Sequence, residues 1–168
     1  MEHELLFRLV DADSARERAK QLFAEAAKSL AAILPPTVDI WHIGATAIPD
    51  CLTKSDVDIV VRVPTEDFNT ADSILATQFT RNEGSIRTTS FSAFEDATKQ
   101  PHLGIQLTVV DGPFDFFHLF IERLQQSPRL IEEYNTLKRL YDGGDMSAYR
   151  AAKDAFVERV LANCPSRQ

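Results

Sequence analysis

The fold is decided by residues 41–63, which read W-H-I-G-A-T-A-I-P-D-C-L-T-K-S-D-V-D-I-V-V-R-V. The stretch begins as a strand, breaks at Gly44, continues as a proline-punctuated loop and enters a second strand at Asp56. Because side chains alternate along a strand, Asp56 and Asp58 project from one face while the apolar residues around them fill the other. Two neighbouring carboxylates repel each other, and a hard cation such as Mg²⁺ is the usual way to offset that repulsion. We therefore predict a metal site at Asp56 and Asp58, the two candidate catalytic residues.

Three blocks of the sequence carry a resemblance to a known family. They read H-I-G-A-T-A-I-P followed by K-x-D-V-D-I within 42–59, S-P-x-L-x-x-E-Y-x-x-L-K at 127–138 and Y-x-x-A-K-x-x-F-V at 149–157. In these blocks the chain resembles the GrpB-like family, which has a nucleotidyltransferase-type fold. In that fold a small-residue turn holds phosphates, and a D-x-D pair on the next strand holds the metal. The resemblance implies a protein that binds a nucleoside triphosphate or another phosphorylated small molecule with Mg²⁺ and transfers a nucleotidyl group to an unidentified acceptor.

The turn at Gly44, Ala45 and Thr46 is the candidate phosphate-binding site. Glycine permits positive φ angles and close backbone approach, so successive N–H groups can form an anion-binding nest. The second position of this turn is usually Ser in the family; Ala45 lacks that hydroxyl, and we expect Thr46 to replace it in part. Lys54 is close enough in sequence to meet a phosphate or to neutralise the carboxylates. The alternative is a simple turn followed by a solvated lysine.

A third acidic residue is the weak point of the predicted site. Active members of the nucleotidyltransferase fold generally place one on a neighbouring strand, facing the D-x-D pair. The strand predicted at 102–110 fits that role best, but its outward positions hold Gln106 and Thr108. By the alternation of side chains along the strand, Asp111 should point to the core-facing side. It can reach the site only through a twist or bulge at the strand end. Gln106 and Asp111 are the two possible third metal-site positions.

Lys153 is a further candidate for phosphate binding. Lys153 lies four residues after Tyr149, so the two side chains share one face of the predicted helix. Together with Lys138 on the preceding helix, they suggest a basic wall over the site. Exposed helix lysines are the simpler alternative. His42 alternates with apolar strand residues, which favours a histidine in the core or at the site edge over a general base. His102 shows no ligand spacing with the other histidines.

Composition and charge narrow the classes of partner. The chain has 168 residues, 44% of them hydrophobic, and a formal net charge of −7. Binding to duplex nucleic acid without sequence preference needs a basic stripe that releases counterions, so this charge argues against it. No run of 18 apolar residues and no secretory signal occurs, and Cys51 and Cys164 form no C-x-x-C motif. We expect a cytoplasmic protein with reduced thiols and no membrane partner.

Periodicity and breakers predict an α+β fold, an α/β sandwich with a mixed sheet, flanking helices and a C-terminal helical cluster, in one domain spanning residues 1–168. A first helix is predicted from a capping box at Ser14 and Glu17 to the break at Pro35 and Pro36. The remaining predicted strands lie at 38–43, 56–63 and 102–110, with a short one at 5–10, and helices are predicted at about 66–77, 114–126, 128–141 and 146–162. Residues 79–95 are predicted to form a strand-turn-strand unit, although R-T-T-S-F-S-A-F at 87–94 could equally be a loop.

The aromatic run at 114–120 predicts a strongly apolar helix. Phe114, Phe116, Phe117 and Phe120 fall within it. Core packing is the default expectation, and a homodimer face is the alternative, because so wide an apolar surface needs burial nearly all round. For the protein as a whole, the alternatives to a transferase are a catalytically degenerate nucleotide-binding or protein-interaction module of the same fold and a purely structural domain.

Overall fold

The computed structural model describes residues 6–163, and in this part of the chain a mixed five-stranded sheet packs between two groups of helices. The helices are α1 (Ala12–Ile33), α2 (Phe68–Gln78), α3 (Phe117–Gln125), α4 (Pro128–Tyr141) and α5 (Met146–Ala162). The strands are β1 (Asp39–Ile43), β2 (Val57–Val63), β3 (Thr80–Arg81), β4 (Phe91–Asp96) and β5 (Leu103–Val109). Within residues 6–163 no helix combines the length and apolar content that crossing a membrane requires.

The strand order is β1-β2-β5-β4-β3, with β2 and β5 parallel and the other pairs antiparallel. This arrangement confirms the predicted α+β class with a mixed sheet. The parallel pairing matters for function because it aligns the first residues of β2 and β5: Asp58 lies beside Gly104, and Val60 lies beside Gln106. Residues paired in this way point to the same side of the sheet.

Each face of the sheet supports its own hydrophobic core. Val57, Ile59, Leu103 and Ile105 belong to the core that α1 and α2 cover, as the alternation predicted. The opposite face contributes Val60 to a second core built mainly from α3, α4 and α5. Both faces are thus covered over most of β2 and β5, which explains their nearly continuous apolar sequence. The polar residues Asp58 and Gln106 face the side of the C-terminal helices.

Three predicted details were wrong in their boundaries. The first helix begins at Ala12, because the side chain of Asp11 accepts hydrogen bonds from the N–H groups of Asp13 and Ser14 and caps it earlier than the capping box predicts. Residues 6–10 form no strand beyond a single bridge from Leu6 to Asp145, and residue 5 lies outside the described residues. The unit at 79–95 consists of a two-residue β3, a long loop at 82–90 and then β4.

The aromatic helix also begins later than predicted. Phe114 and Phe116 precede α3, which starts at Phe117, whereas Phe120 is buried in the second core. The segment before α3 is held by Asp115, whose carboxylate is bonded by Arg62 of β2. An ion pair therefore fixes this segment against the sheet and leaves two phenylalanine rings at the edge of a cleft.

Candidate functional site

A cleft of about 540 Å³ opens on the side of the sheet that faces the C-terminal helices. The first residues of β2 and β5 form its floor, the loop before β4 forms one wall, and α3 and α5 form the other. The polar lining consists of the backbone at Gly44 and the side chains of Asp58, Ser85, Gln106, Tyr134, Lys153 and Asp154. The apolar walls contain Ile86 and the rings of Phe91, Phe114, Phe116 and Phe117.

Asp58 is held between two glycines. A Cβ atom at Gly44 would lie 2.7 Å from Oδ2 of Asp58, and one at Gly104 would lie 2.8 Å from Oδ1. Gly44 has φ 76° and ψ −179°, a conformation that is essentially restricted to glycine. The backbone therefore approaches the carboxylate from both sides at distances that side chains do not allow. Gly44, which the sequence predicts as a turn residue, thus also leaves the space that the Asp58 carboxylate occupies.

Asp58 is the acid of the cleft whose surroundings disfavour its charged form. No ion pair within 4.0 Å and no hydrogen bond to its side chain occurs among residues 6–163. Burial raises the pKa of Asp58 above its usual value, and the nearby carboxylate of Asp56 raises it further. Lys153, Lys54 and His102 act in the opposite direction but do not reverse the shift. An ionised carboxylate in this environment is costly unless a cation joins it.

Asp56 lies at the edge of the cleft and not among its lining residues. Its Oδ2 forms a 2.7 Å ion pair with Nζ of Lys54, and both side chains are partly exposed. The electrostatic influence of Asp56 on Asp58 is consistent with the two carboxylates lying close together. Lys54 thus neutralises the carboxylate of Asp56, which was one of the two roles expected for it. Asp58 faces the cleft.

Thr46 anchors the turn to the sheet. Its buried hydroxyl donates to the carbonyl oxygen of Asp56 at 3.1 Å and lies 3.0 Å from Nε2 of His42. Burial lowers the pKa of His42 to about 4, and its ring stacks on Phe23. His42 is therefore a neutral structural residue, in agreement with its predicted position. The Thr46 hydroxyl is already used within the protein, so only the backbone N–H groups of this turn are available as an anion-binding nest.

Gln106 occupies the position nearest to that of a third acid. It faces the cleft on β5, and its Oε1 is buried without a hydrogen-bond partner among the described residues. Asp111 is exposed and follows the opposite end of β5. Seven residues separate it from Gly104, which corresponds to roughly 20 Å along an extended strand. The structure brings Gln106 to Asp58 and does not bring Asp111 there.

The donor set fits one Mg²⁺ ion better than two. Within residues 6–163 no group of three or more His, Cys, Asp or Glu side chains is arranged to hold a metal. Mg²⁺, however, is commonly bound by one or two carboxylates together with the phosphates of a substrate. Asp58 without a partner, Asp56 beside it and the unpaired amide oxygen of Gln106 meet that requirement.

The two lysines of the predicted basic wall have different surroundings. Lys153 of α5 lines the cleft. Lys138 of α4 is only 2% exposed, contacts the carbonyl oxygen of Leu52, and lies 3.4 Å from Sγ of Cys51 and 4.0 Å from the centre of the Tyr134 ring. Burial lowers its pKa to about 8. The prediction that Lys138 belongs to a basic wall over the cleft was therefore wrong. Lys138 is buried and binds the loop before β2 instead.

Several residues of this region were missed by sequence reasoning. Three such residues are Gly104 on β5, Glu95 on β4 and His102 just before β5. Their positions relative to Asp58 follow from the strand register, which no local sequence pattern predicts. The sequence shows a run of phenylalanines at 114–120 but does not predict which of these rings line a cleft. Phe91 lies 5.1 Å from Phe114 and 5.9 Å from Phe117 between ring centres, so residues distant in sequence form one surface.

Comparison with known proteins identifies the family. The model of the GrpB protein family matches residues 9–163. The chain belongs to the GrpB family. A UPF0157 protein of Vibrio cholerae is 32% identical over 151 residues, which cover 89% of this chain and 79% of that protein. The GrpB sequence blocks at 42–59, 127–138 and 149–157 all lie inside the matched region.

Solved structures show the same fold. The crystal structure of the conserved protein GrpB from Enterococcus faecalis matches with a TM-score of 0.65 at 19% identity, covering 86% of this chain and 90% of that one. Cid1 poly(U) polymerase bound to MgATP matches with a TM-score of 0.52 at 10% identity, covering 77% of this chain and 42% of that one. A cytoplasmic RNA terminal U-transferase gives 0.51 at 12% identity, covering 79% and 41%. The GrpB chain therefore has a nucleotidyltransferase-type fold.

Proposed function

We propose that this GrpB protein binds a nucleoside triphosphate with Mg²⁺ in the cleft and transfers a nucleotidyl group to an acceptor. The observation that carries the proposal is Asp58, an acid enclosed by two glycines at the floor of the cleft, with no ion pair or hydrogen bond to its side chain among the described residues. Burial and the neighbouring Asp56 make the ionised form of Asp58 costly, and a bound cation would offset that cost. Asp56 beside it supplies the second ligand.

The walls of the cleft fit the other parts of a nucleotide. Phe91, Phe114 and Phe117 present aromatic surface on which a base can stack, an interaction worth about 1–3 kcal/mol per base in nucleic-acid-binding proteins. Lys153 and the N–H groups of the turn at 44–46 lie at the polar end, where the phosphates would meet positive charge and hydrogen-bond donors. Mg²⁺ bound by Asp56 and Asp58 would neutralise charge on the transferring phosphoryl group.

Thermal unfolding with and without MgATP, MgGTP, MgCTP and MgUTP tests this function. A ligand at 100 times its Kd stabilises the protein by about 2.7 kcal/mol, which corresponds to a rise in Tm of roughly 5–10 °C for a chain of this size. We expect the rise in the wild type and its loss in the double variant Asp56→Asn, Asp58→Asn. The matched control is Asp13→Asn, which removes a fully exposed carboxylate in α1. Each shift is measured from the ligand-free Tm of the same variant.

A nucleotide-binding module without catalysis is the second candidate, and Gln106 favours it. A neutral amide oxygen can bind a metal but neither adds negative charge nor accepts a proton as a carboxylate does. On this reading the wild type binds nucleotide with little turnover, and Gln106→Glu is the change most able to increase it. An equal increase in Gln106→Leu would show that charge at this position is irrelevant. Absence of a thermal shift with all four nucleotides at millimolar concentration would refute both candidates.

A further inference from the structure

Glu95 and His102 form a polar pair next to the two aspartates. Nε2 of His102 lies 3.4 Å from Oε2 of Glu95, and the two side chains are 39% and 35% exposed. They are accessible to a ligand, in contrast to His118, which is buried against Asp115.

The register of three strands aligns this pair with Asp58. Asp58 of β2 pairs with Gly104 of β5, and Gly104 pairs with Glu95 of β4. The three residues therefore form one row across the sheet and face the same side. Adjacent strands lie about 4.8 Å apart, so the backbone positions of Asp58 and Glu95 are separated by about 10 Å. Gly104 has no side chain of its own, and the atoms that a Cβ there would meet are Oδ1 of Asp58 at 2.8 Å and Nε2 of Gln106 at 3.7 Å.

His102 stands in the neighbouring row, beside Asp56. Its carbonyl oxygen accepts a hydrogen bond from the N–H of Val57 at 2.9 Å, which extends the parallel pairing of β2 and β5 by one step. A positive charge on His102 also lowers the pKa of Asp58, so the two side chains are within electrostatic range. The register thus places Asp58 on one side of Gly104, and Glu95 with its neighbour His102 on the other.

We propose that His102, oriented by Glu95, is the general base that activates the acceptor hydroxyl. The inference rests on the proposed transferase function and names the residue that takes the place of the absent third carboxylate. Because Nε2 faces the carboxylate of Glu95, the neutral ring carries its proton on Nε2 and Nδ1 is the basic nitrogen. Glu95 is a positioning residue, since it acts through His102.

The step balances in atoms and electrons. The acceptor oxygen forms a bond to the α-phosphorus of the nucleoside triphosphate while its proton passes to Nδ1 of His102. The bond from that phosphorus to the bridging oxygen breaks, and pyrophosphate leaves with the electron pair. The carboxylate of Glu95, 3.4 Å from Nε2, holds the ring in place while Nδ1 takes up the proton.

Four proteins test the assignment: the wild type, His102→Gln, Glu95→Gln, and Glu132→Gln as a control that removes a carboxylate 65% exposed on α4. Binding is measured as the thermal shift with MgATP, and transfer as pyrophosphate released from MgATP with glycerol as the acceptor. We expect all four to bind MgATP. Transfer should fall by about 100-fold or more in His102→Gln, as for other general bases, by a smaller factor in Glu95→Gln, and remain unchanged in the control.

A spectroscopic measurement separates the role of Glu95 from a merely structural one. The ¹⁵N shifts of the imidazole of His102 should report the Nε2–H tautomer in the wild type and a mixture of tautomers in Glu95→Gln, with the protein still folded. An unchanged tautomer would refute the orienting role of Glu95.

The outcomes distinguish this inference from the proposed function. Transfer by His102→Gln at the wild-type rate would overturn the base assignment and leave the transferase intact. A wild type that binds MgATP but releases no pyrophosphate would overturn the assignment and favour the binding module. A wild type that does not bind any of the four nucleotides would overturn the proposed function and the base assignment together.

Discussion

The charged side chains at the two ends of strand β2 differ in whether they are paired. At one end the guanidinium of Arg62 bonds Asp115 with two hydrogen bonds of 2.6 and 2.7 Å and Asp39 with a third of 2.7 Å. At the other end Asp58, only four residues away, has no partner within residues 6–163 and is enclosed by Gly44 and Gly104. One strand therefore carries a completed ion-pair network and an incomplete one.

The pKa shifts express the same contrast. Burial is the largest single influence and would raise the pKa of Asp115, but the hydrogen bonds from Arg62 and the Asp111 N–H, together with the charge of Arg62, leave the pKa below its usual value. Burial raises the pKa of Asp58, and no local cation reverses the shift. The comparison teaches that charge at the Arg62 end stabilises the fold, whereas charge at the Asp58 end costs stability until a ligand completes it.

The largest effect is expected from breaking the paired end. Asp115→Ala leaves the partly buried Arg62 without its two-bond partner and removes the acceptor of the Asp111 N–H, so the free energy of unfolding should fall by about 3 kcal/mol. Asp39→Ala, which removes the half-exposed partner of the same guanidinium, is the matched control and should cost less than about 1 kcal/mol. Urea denaturation measures both. Equal losses would contradict the claim that burial decides the strength of the network.

Acid should destabilise the fold through His42, the buried ring beside Thr46 of the turn. The pKa of His42 is about 4 when folded and about 6.5 when unfolded, so its contribution is complete above pH 6.5 and is lost as the pH falls towards 4. The loss amounts to about 3 kcal/mol at most and is partly offset by Asp58, whose raised pKa acts in the opposite direction. Unfolding free energies of the wild type and His42→Gln at pH 7 and pH 4.5 measure the difference. A wild type no more sensitive than the variant would refute the assignment.

The glycine beside Asp58 should tolerate no side chain. Gly44→Ala introduces a Cβ 2.7 Å from Oδ2 of Asp58 and requires a positive φ, so we expect a loss of about 2 kcal/mol from strain together with displacement of the carboxylate. Gly84→Ala, in a loop without such contacts, should change stability far less. Thermal unfolding compares the two. Removing the acid in the double variant Gly44→Ala, Asp58→Ala should recover the part that comes from the clash.

The smallest effect has the opposite sign. Asp58→Asn removes the unpaired charge, so without ligand the variant should be more stable than the wild type by about 1 kcal/mol at pH 7, a typical trade of function for stability. The gain should shrink as the pH falls, because the raised pKa of Asp58 means that the wild-type carboxyl takes up its proton early. Urea denaturation at pH 7 and pH 4.5 measures it. A less stable variant at pH 7 would mean that the carboxylate has a partner in solution.

Much of the fold followed from local pattern. The alternation of Val57, Ile59 and the residues after them predicted a strand with these side chains on one core face, and the structure has that face. It did not predict that Val60 on the other face joins a second core. The helix predicted at about 128–141 is α4, and the structure shows in addition that the side chain of Ser127 caps it. The errors lay where a local signal competed with a stronger neighbour: Asp11 caps α1 ahead of the Ser14 capping box because its side chain reaches the free N–H groups first.

By itself the sequence determined the family, the mixed α+β architecture and the acidic pair Asp56 and Asp58, because motif spacing and alternation are local properties of the chain. Only the tertiary structure decided which groups surround that pair. The parallel register of β2 and β5 placed Gly104 and Gln106 beside Asp58 and left Asp111 at the far end. Packing of α4 buried Lys138 beneath the loop and left Lys153 of α5 at the cleft. These contacts join residues far apart in sequence, and their energies depend on burial and distance, which exist only once the chain has folded.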